Sequence, residues 1–181
     1  SLKLLKIQAK ALALPLIVQK SKSIKEKELD DLEKLLRKVK HKVNYIVSGG
    51  VASRYQYERV KVLIEKLGFK LFCPLWQIKA ENIWQECLKN NFKIILTKIC
   101  CEGINKEWLG KVIDKEKLEK LKSLSKKYGF SLEFEGGDAE TSVLFMPLFS
   151  KEIEIKSEIK SEGNYRHFLM IKETKLKNKL S

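Results

Sequence analysis

Two short segments of the sequence place small residues beside groups that can form hydrogen bonds. Residues 48–56 read S-G-G-V-A-S-R-Y-Q and follow an apolar run, whereas residues 135–141 read E-G-G-D-A-E-T and lead into one. Small residues let the backbone come close to a polar ligand. The acids Glu135 and Asp138 flank two glycines, so they either orient a ligand or form an acidic hairpin turn.

Helices and strands alternate over residues 1–98. We predict helices at 2–14, 25–40, 53–67 and 81–89, and strands at 16–18, 43–47, 70–73 and 92–97. The strands are short and uniformly apolar, which is typical of buried parallel strands. The pattern predicts an α/β domain with an incomplete doubly wound, Rossmann-like parallel sheet. Ligands bind beyond the carboxyl ends of such strands, which is where Ser48, Gly49 and Gly50 lie.

The pattern changes over residues 99–181, where one helix precedes several strands. We predict a helix at 115–127 and strands at 142–149, 153–159 and 166–173, with Gly163 and Asn164 in the last turn. This order predicts a smaller α+β domain with an antiparallel sheet. The polar residues from 174 onward are expected to fray.

The first predicted helix has no strand before it, although helices of an α/β sheet normally follow one. Its apolar face would then stay exposed to water, at about 25 cal/mol for each Å². We therefore expect a fragment of a longer protein that is prone to aggregate when expressed alone. A sharp cooperative melt would contradict this expectation.

The composition is that of a globular protein with a basic surface. The 181 residues carry a net charge of +14 and are 44% hydrophobic. Most basic residues are lysines, whereas nucleic-acid-binding proteins more often show clustered arginines with interleaved aromatic residues. The charge thus argues against nucleic acid as the main partner and is compatible with an acidic macromolecule.

The spacing of cysteine and histidine argues against a metal site. The four cysteines and two histidines form no C-x-x-C or other zinc spacing, so free thiols in a reducing compartment are expected. No apolar stretch reaches the roughly 18 residues of a membrane span, and the N-terminus does not have the pattern of a signal peptide. We expect a cytoplasmic protein with no metal ligands and no membrane partner.

Five motifs resemble, in order, those of the diphthine–ammonia ligase family, also called diphthamide synthetase. They are E-K-E-L-D-D-L at 26–32, G-V-A-S-R-Y-Q with R-V at 50–60, P-L-W at 74–76, G-I-N-K-E-W-L-G at 103–110, and E-G-G-D-A-E-T at 135–141 followed by M-P-L-F at 146–149. Each motif is weak alone, but their common order makes the resemblance specific over nearly the whole chain.

The resemblance implies an ATP pyrophosphatase with an adenine nucleotide alpha hydrolase-like fold. Such an enzyme uses ATP, with Mg, to activate the carboxylate of diphthine on translation elongation factor 2, and ammonia then attacks the acyl-adenylate. A homodimer and an archaeal origin are also compatible with it.

The resemblance also implies roles for individual residues. The catalytic set is Glu28, Tyr55, Gln56, Glu135 and Asp138. The nucleotide contacts are Gly49, Gly50, Ala52 and Ser53, and the substrate contacts are Trp76, Gly136, Gly137 and Glu140.

Other roles remain open for several of these residues. Tyr55 and Gln56 could cap a helix, and Glu28 could be a solvated surface charge. Arg54 and Arg59 could contact phosphate or lie on the helix surface.

Three departures limit what the resemblance implies. The family's S-G-G-K-D-S phosphate loop does not occur in the sequence, so we expect no ATP–pyrophosphate exchange by this polypeptide alone. Asp138 replaces a glutamate and Ala139 replaces an aromatic residue, which leaves open a related ATP pyrophosphatase that acts on another carboxylate. A third reading is a basic, non-catalytic adaptor, which would bind its partner without nucleotide dependence.

Overall fold

The computed structural model describes residues 1–21 and 27–178, which fold as two units, Leu16–Ile78 and Ser1–Pro15 together with Lys79–Ser181. The elements in chain order are α1 (Leu2–Ala11), α2 (Lys27–Arg37), β1 (Tyr45–Val47), α3 (Arg54–Lys66), β2 (Lys70–Phe72), α4 (Ala80–Lys89), β3 (Lys93–Ile99), a 3₁₀ turn (Lys106–Trp108), α5 (Lys115–Tyr128), β4 (Ala139–Phe145), β5 (Glu152–Glu162) and β6 (Arg166–Lys177).

The unit that spans residues 16–78 is built on two parallel strands. β1 and β2 pair with Ile46 opposite Leu71, and both side chains pack against an apolar cluster. The buried members of that cluster are Leu36, Leu63, Ile64, Leu67 and Phe69. Strands that alternate in exposure and a helix between them are the expected parts of a β-α-β crossover.

The other unit is built on a four-stranded antiparallel sheet with the order β4-β3-β6-β5. Its core contains Ile95, Leu96 and Ile99 of β3, together with Leu118 and Leu121 of α5. Asp114 caps the start of α5, and Gly129 ends it in the left-handed conformation. Local capping and burial of one helix face therefore define α5 as the sequence predicts.

Helix α1 packs on the antiparallel sheet. Leu4 and Ala11 are buried there, and the Gln8 side-chain amide donates to the Val143 carbonyl at 2.9 Å. The Ser150 backbone N–H donates to the Ala11 carbonyl at 2.7 Å. The prediction that the apolar face of this helix stays exposed is therefore wrong, since strands from the far end of the chain cover it.

Three further predictions of local structure need correction. Residues 16–18 form no strand and are 38–43% exposed, because within the described residues no neighbouring strand pairs with them. Residues 92–97 do contain a strand, but β3 pairs antiparallel with β4 and β6 instead of joining the parallel sheet. Residues 174–177 do not fray, because β6 continues to Lys177 alongside β5.

The sheet pairing also bears on how the chain divides. Because β3 and α1 both belong to the antiparallel unit, the compact units separate at residues 15 and 78, whereas the sequence suggests a boundary at residue 98. The prediction of mixed α/β architecture with a parallel sheet and an antiparallel sheet is confirmed. Within the described residues, none of the helices combines the length and apolar character that a membrane crossing requires.

Candidate functional site

A concave cavity of about 330 Å³ opens at the carboxyl ends of β1 and β2. All of its lining belongs to the unit of residues 16–78. The lining residues are Glu28, Leu29, Leu32, Ser48, Gly50, Ser53, Tyr55, Tyr57, Arg59, Val60, Leu71, Cys73 and Trp76. This position agrees with the rule that open α/β sheets bind ligands beyond the carboxyl ends of their strands.

Backbone hydrogen bonds fix the loop that follows β1. The Ser48 N–H donates to the Phe72 carbonyl at 3.0 Å, and the Gln77 N–H donates to the Val51 carbonyl at 2.8 Å. The Ser48 hydroxyl oxygen also accepts from the Gly50 N–H at 3.4 Å. The loop is therefore tied to the end of β2 and to the segment beyond it, and both segments contribute to the cavity wall.

An aromatic pair forms one wall of the cavity. The rings of Tyr57 and Trp76 stack with centroids 4.3 Å apart and planes inclined by 18°. Tyr57 lies in the first turn of α3. Its backbone N–H donates to the Ser53 carbonyl at 3.0 Å, which is the hydrogen bond that starts the helix. Both aromatic residues are partly exposed and line the cavity, so the pair contributes aromatic surface to it.

Tyr55 and Arg59 lie one turn apart on α3 and form a second, polar pair. The Arg59 guanidinium donates to the Tyr55 hydroxyl at 2.7 Å and lies 4.9 Å from the centroid of the Tyr55 ring. These contacts hold the guanidinium in a defined orientation, which favours recognition of a planar anion such as a carboxylate or a phosphate.

Five of the predicted site residues line this cavity. They are Glu28, Gly50, Ser53, Tyr55 and Trp76. Among the described residues, the lining does not include Gly49 or Ala52. Gln56 lies within α3, but its side chain falls outside the described part of the structure. The roles of all these residues remain predictions.

The second predicted segment belongs to the other unit, in the loop between α5 and β4. Glu135 and Asp138 are half-buried there, whereas Gly136 and Gly137 are exposed. The Asp138 carboxylate accepts the Ser131 N–H at 3.3 Å, and its backbone carbonyl accepts the Cys100 N–H at 2.7 Å. Asp138 thus has a structural role in closing this loop, beside the catalytic role that the motif predicts.

The charge of Asp138 also affects a neighbouring thiol. Burial raises the pKa of Cys101 to about 11, and the negative charges of Asp138 and Cys100 add to this effect. Glu140, predicted to contact substrate, forms an ion pair with Lys98 at 2.9 Å across β3 and β4 and raises the pKa of that lysine. Asp138 therefore has its partners in the loops beside the sheet, and Glu140 has its partner on the neighbouring strand.

Sequence reasoning did not single out Tyr57 and Cys73 as part of the site. Tyr57 follows the recognised Y-Q pair directly, so its position on the same helix start could have indicated it. Cys73 follows β2 in the same way that Ser48 follows β1, and adjacent parallel strands end at one edge of a sheet.

Comparison with known families gives two matches that together span most of the chain. Residues 79–176 match the diphthamide synthase C-terminal domain, and residues 1–71 match the diphthamide synthase N-terminal domain. The break between the two matches lies close to the boundary between the compact units near residue 78.

Comparison with curated proteins gives relatives from animals and fungi. The chain is 38% identical over 133 residues to a Bos taurus protein named diphthine–ammonia ligase, covering 72% of this chain and 49% of the relative. A Homo sapiens protein of the same name is 36% identical over 133 residues, with the same coverage. The Saccharomyces cerevisiae relative is 31% identical over 142 residues, which is 67% of this chain and 20% of the relative. The chain therefore spans about half the length of these mammalian relatives.

Proposed function

The chain belongs to the diphthamide synthase family, and we propose that it takes part in the ATP-dependent amidation of diphthine on translation elongation factor 2. The observation that carries the proposal is the cavity beyond β1 and β2, where Glu28, Tyr55, Arg59 and Trp76 converge. These residues come from motifs that are separated in the sequence, and the fold brings them to one concave surface.

The proposed reaction has two steps. A carboxylate oxygen of diphthine attacks the α-phosphorus of ATP, which forms an acyl-adenylate and releases pyrophosphate. Ammonia then attacks the acyl carbon, AMP leaves with the bridging oxygen, and the nitrogen loses a proton to give the amide. Arg59 is suited to hold the carboxylate or the adenylate phosphate, because its guanidinium is oriented by Tyr55.

The start of α3 supports binding of the phosphate-bearing intermediate. Ser53 and Gly50 line the cavity beside this helix, whose first N–H groups and dipole favour negative charge. In the part of the chain that the structure describes, no three His, Cys, Asp or Glu side chains cluster closely enough to hold a metal ion.

Complementation tests this function. A yeast strain that lacks its own diphthine–ammonia ligase would receive the complete reading frame that encodes this chain. Mass spectrometry of the modified peptide of elongation factor 2 then distinguishes the carboxylate from the amide. We expect the amide, and we expect Arg59→Gln to reduce its yield.

Lys61→Gln is the matched control, because Lys61 is on the same helix and does not belong to the cavity lining. Elongation factor that stays in the diphthine form, although the protein accumulates in soluble form, would contradict the proposal. Amide formation that is equally fast in wild type and in Arg59→Gln would contradict the role given to the guanidinium.

A further inference from the structure

We propose that the outer face of the parallel strands binds a single-stranded nucleic acid. This face consists of Tyr45 and Val47 of β1 and of Lys70 and Phe72 of β2. The rings of Tyr45 and Phe72 stack on the bases, and lysines on and beside the face pair with the phosphates. Within the described residues, the cavity lining contains none of these four side chains, so the inference does not depend on the proposed function.

The strand register brings the four residues of the outer face together. Tyr45 lies opposite Lys70, and Val47 lies opposite Phe72. Alternate residues of a strand point to the same face, so the residues between them pack on the apolar cluster and these four point away from it. Tyr45, Val47 and Phe72 are 58%, 65% and 56% exposed, respectively. A contiguous apolar surface that is exposed to this extent is typical of a binding surface.

Positive charge is concentrated where the outer face begins. Residues 37–42, which lie shortly before β1, read R-K-V-K-H-K. Lys40 and Lys42 are exposed and, in the part of the chain that the structure describes, neither forms an ion pair with a carboxylate. On the face itself, the Lys70 ammonium lies 5.5 Å from the centroid of the Tyr45 ring. A bound phosphate chain would therefore meet cations beside an aromatic ring, which is the combination found in grooves that bind single strands.

The rings and the charges together favour a single-stranded nucleic acid over the other partners that this face could bind. Unpaired bases offer flat π faces to aromatic side chains, whereas the bases of a duplex are stacked on one another. An acidic peptide would pair with the lysines but would leave the rings without a stacking partner. A second copy of this chain would bring the same lysines against this face in a symmetric pair, and like charges repel. Lysines without interleaved aromatic residues argue against nucleic acid in the sequence, but the fold places Tyr45 and Phe72 beside them.

Fluorescence anisotropy on the 181-residue chain tests the inference. The probe is a fluorescein-labelled RNA oligoadenylate of about 12 nucleotides, a length within the site sizes of single-strand binders. An abasic strand of the same length keeps the phosphates and removes the bases, and a labelled polyglutamate peptide keeps only negative charge. We expect saturable binding of the oligoadenylate that weakens as salt is added. We also expect it to bind roughly 5-fold or more tightly than either comparison ligand.

Variants of the aromatic ring test the stacking. Tyr45→Leu should weaken binding of the oligoadenylate by roughly 5- to 150-fold, which is the usual effect of losing the stacking of one base. Tyr45→Phe keeps the ring and should bind like the wild type. Tyr165→Leu is the matched aromatic control, because Tyr165 is 56% exposed in the turn between β5 and β6 of the other unit.

Variants of the lysines test the phosphate contacts. Lys40→Gln combined with Lys42→Gln should make the plot of log affinity against log salt shallower by about 1.4, from about 0.7 for each phosphate contact. Lys106→Gln combined with Lys111→Gln removes the same charge from exposed positions of the other unit and should leave the slope unchanged. Circular dichroism would verify that each variant is folded.

The outcomes are independent of whether the amide forms in cells. Equal binding of the oligoadenylate and the abasic strand, equal loss of affinity in Tyr45→Leu and Tyr165→Leu, or equally tight binding of polyglutamate would each overturn the inference. A dimer in sedimentation experiments that Tyr45→Leu dissociates would assign the face to a second copy and would overturn it as well. A preference for the strand with bases that Tyr45→Leu abolishes and Tyr45→Phe retains supports the inference.

Discussion

Substitution of Gly103 by alanine should destabilise the antiparallel unit strongly. Gly103 lies in the turn after β3, with φ at +91°, and a Cβ atom placed there would lie 2.3 Å from Cδ2 and 2.6 Å from Cγ of Tyr128. The left-handed backbone costs an alanine about 1–2 kcal/mol, and a forced overlap with the Tyr128 ring, which is 37% exposed, costs about 1–3 kcal/mol. We therefore expect Gly103→Ala to lower the free energy of unfolding by about 2–5 kcal/mol.

Gly129 provides a matched control at the end of α5. Its φ is +77°, and no atom lies within 4 Å of a Cβ built on it. Gly129→Ala should therefore show only the backbone component, about 1–2 kcal/mol. The difference between the two variants isolates the contact with the Tyr128 ring.

A double-mutant cycle with Tyr128→Ala tests the contact directly. Removal of the ring should make Gly103→Ala less destabilising by about 1–3 kcal/mol, because only the backbone component remains. Equilibrium unfolding in urea would be followed by the fluorescence of Trp84 and Trp108, in a Trp76→Phe background so that only this unit is observed. Equal destabilisation by Gly103→Ala and Gly129→Ala, or an unchanged effect of Gly103→Ala without the ring, would refute the reasoning.

Two further predictions concern titratable groups of the same unit. The Asp114 carboxylate accepts the Lys117 N–H at 2.8 Å and pairs with the Lys117 ammonium, which lowers the pKa of Asp114. Asp114→Ala should therefore lower the free energy of unfolding by about 1 kcal/mol at neutral pH. The stability that Asp114 provides is complete above the ordinary pKa of an aspartate and is lost as the pH falls through the lowered pKa of Asp114. The thermal melts of Asp114→Ala and of the wild type should therefore converge in acid. The Cys101 thiol, with its pKa raised to about 11, should react slowly with iodoacetamide at mildly alkaline pH; peptide mapping that finds Cys101 alkylated as fast in the native as in the unfolded protein would contradict this.

The sequence predicted most helices and strands because their signals are local. The glycine at position 129 ends α5, and the Gly163-Asn164 turn joins β5 to β6. Each of these signals depends on residues within a few positions of one another. The family predicted from the order of five motifs is also confirmed, by matches to both of its domains.

The pairing of β3 could not be predicted from its own residues. A run of apolar residues indicates that both faces of a strand are covered, which is typical of a parallel strand between two helix layers. In this structure β3 is an inner antiparallel strand, and Ile94, Ile95 and Leu96 are all buried. An apolar run therefore reports burial on both sides and does not report the direction of the neighbouring strands.

The sequence predicted those cavity residues whose types are given by a motif. It did not predict the contact that joins two motifs far apart in the chain. Glu28, Tyr55 and Trp76 were expected and line the cavity. The stacking of Tyr57 on Trp76 joins α3 to the segment after β2. The hydrogen bond from Arg59 to the Tyr55 hydroxyl orients the Arg59 guanidinium. The contact between Tyr57 and Trp76 follows from the crossover geometry, which the sequence alone does not specify, whereas Tyr55 and Arg59 are neighbours on one helix because they are four positions apart.

The E-G-G-D-A-E-T segment shows why a motif match does not separate packing from chemistry. Ala139 and Glu140 are neighbours in β4, so their side chains point to opposite faces of the sheet. Ala139 is 3% exposed and lies opposite Ile99 in the core, whereas Glu140 is exposed and pairs with Lys98. The replacement of an aromatic residue by Ala139 therefore changes the volume of the core and not the wall of an open cavity. A difference in substrate has to be sought among residues that contact ligand, and position 139 gives no argument for one.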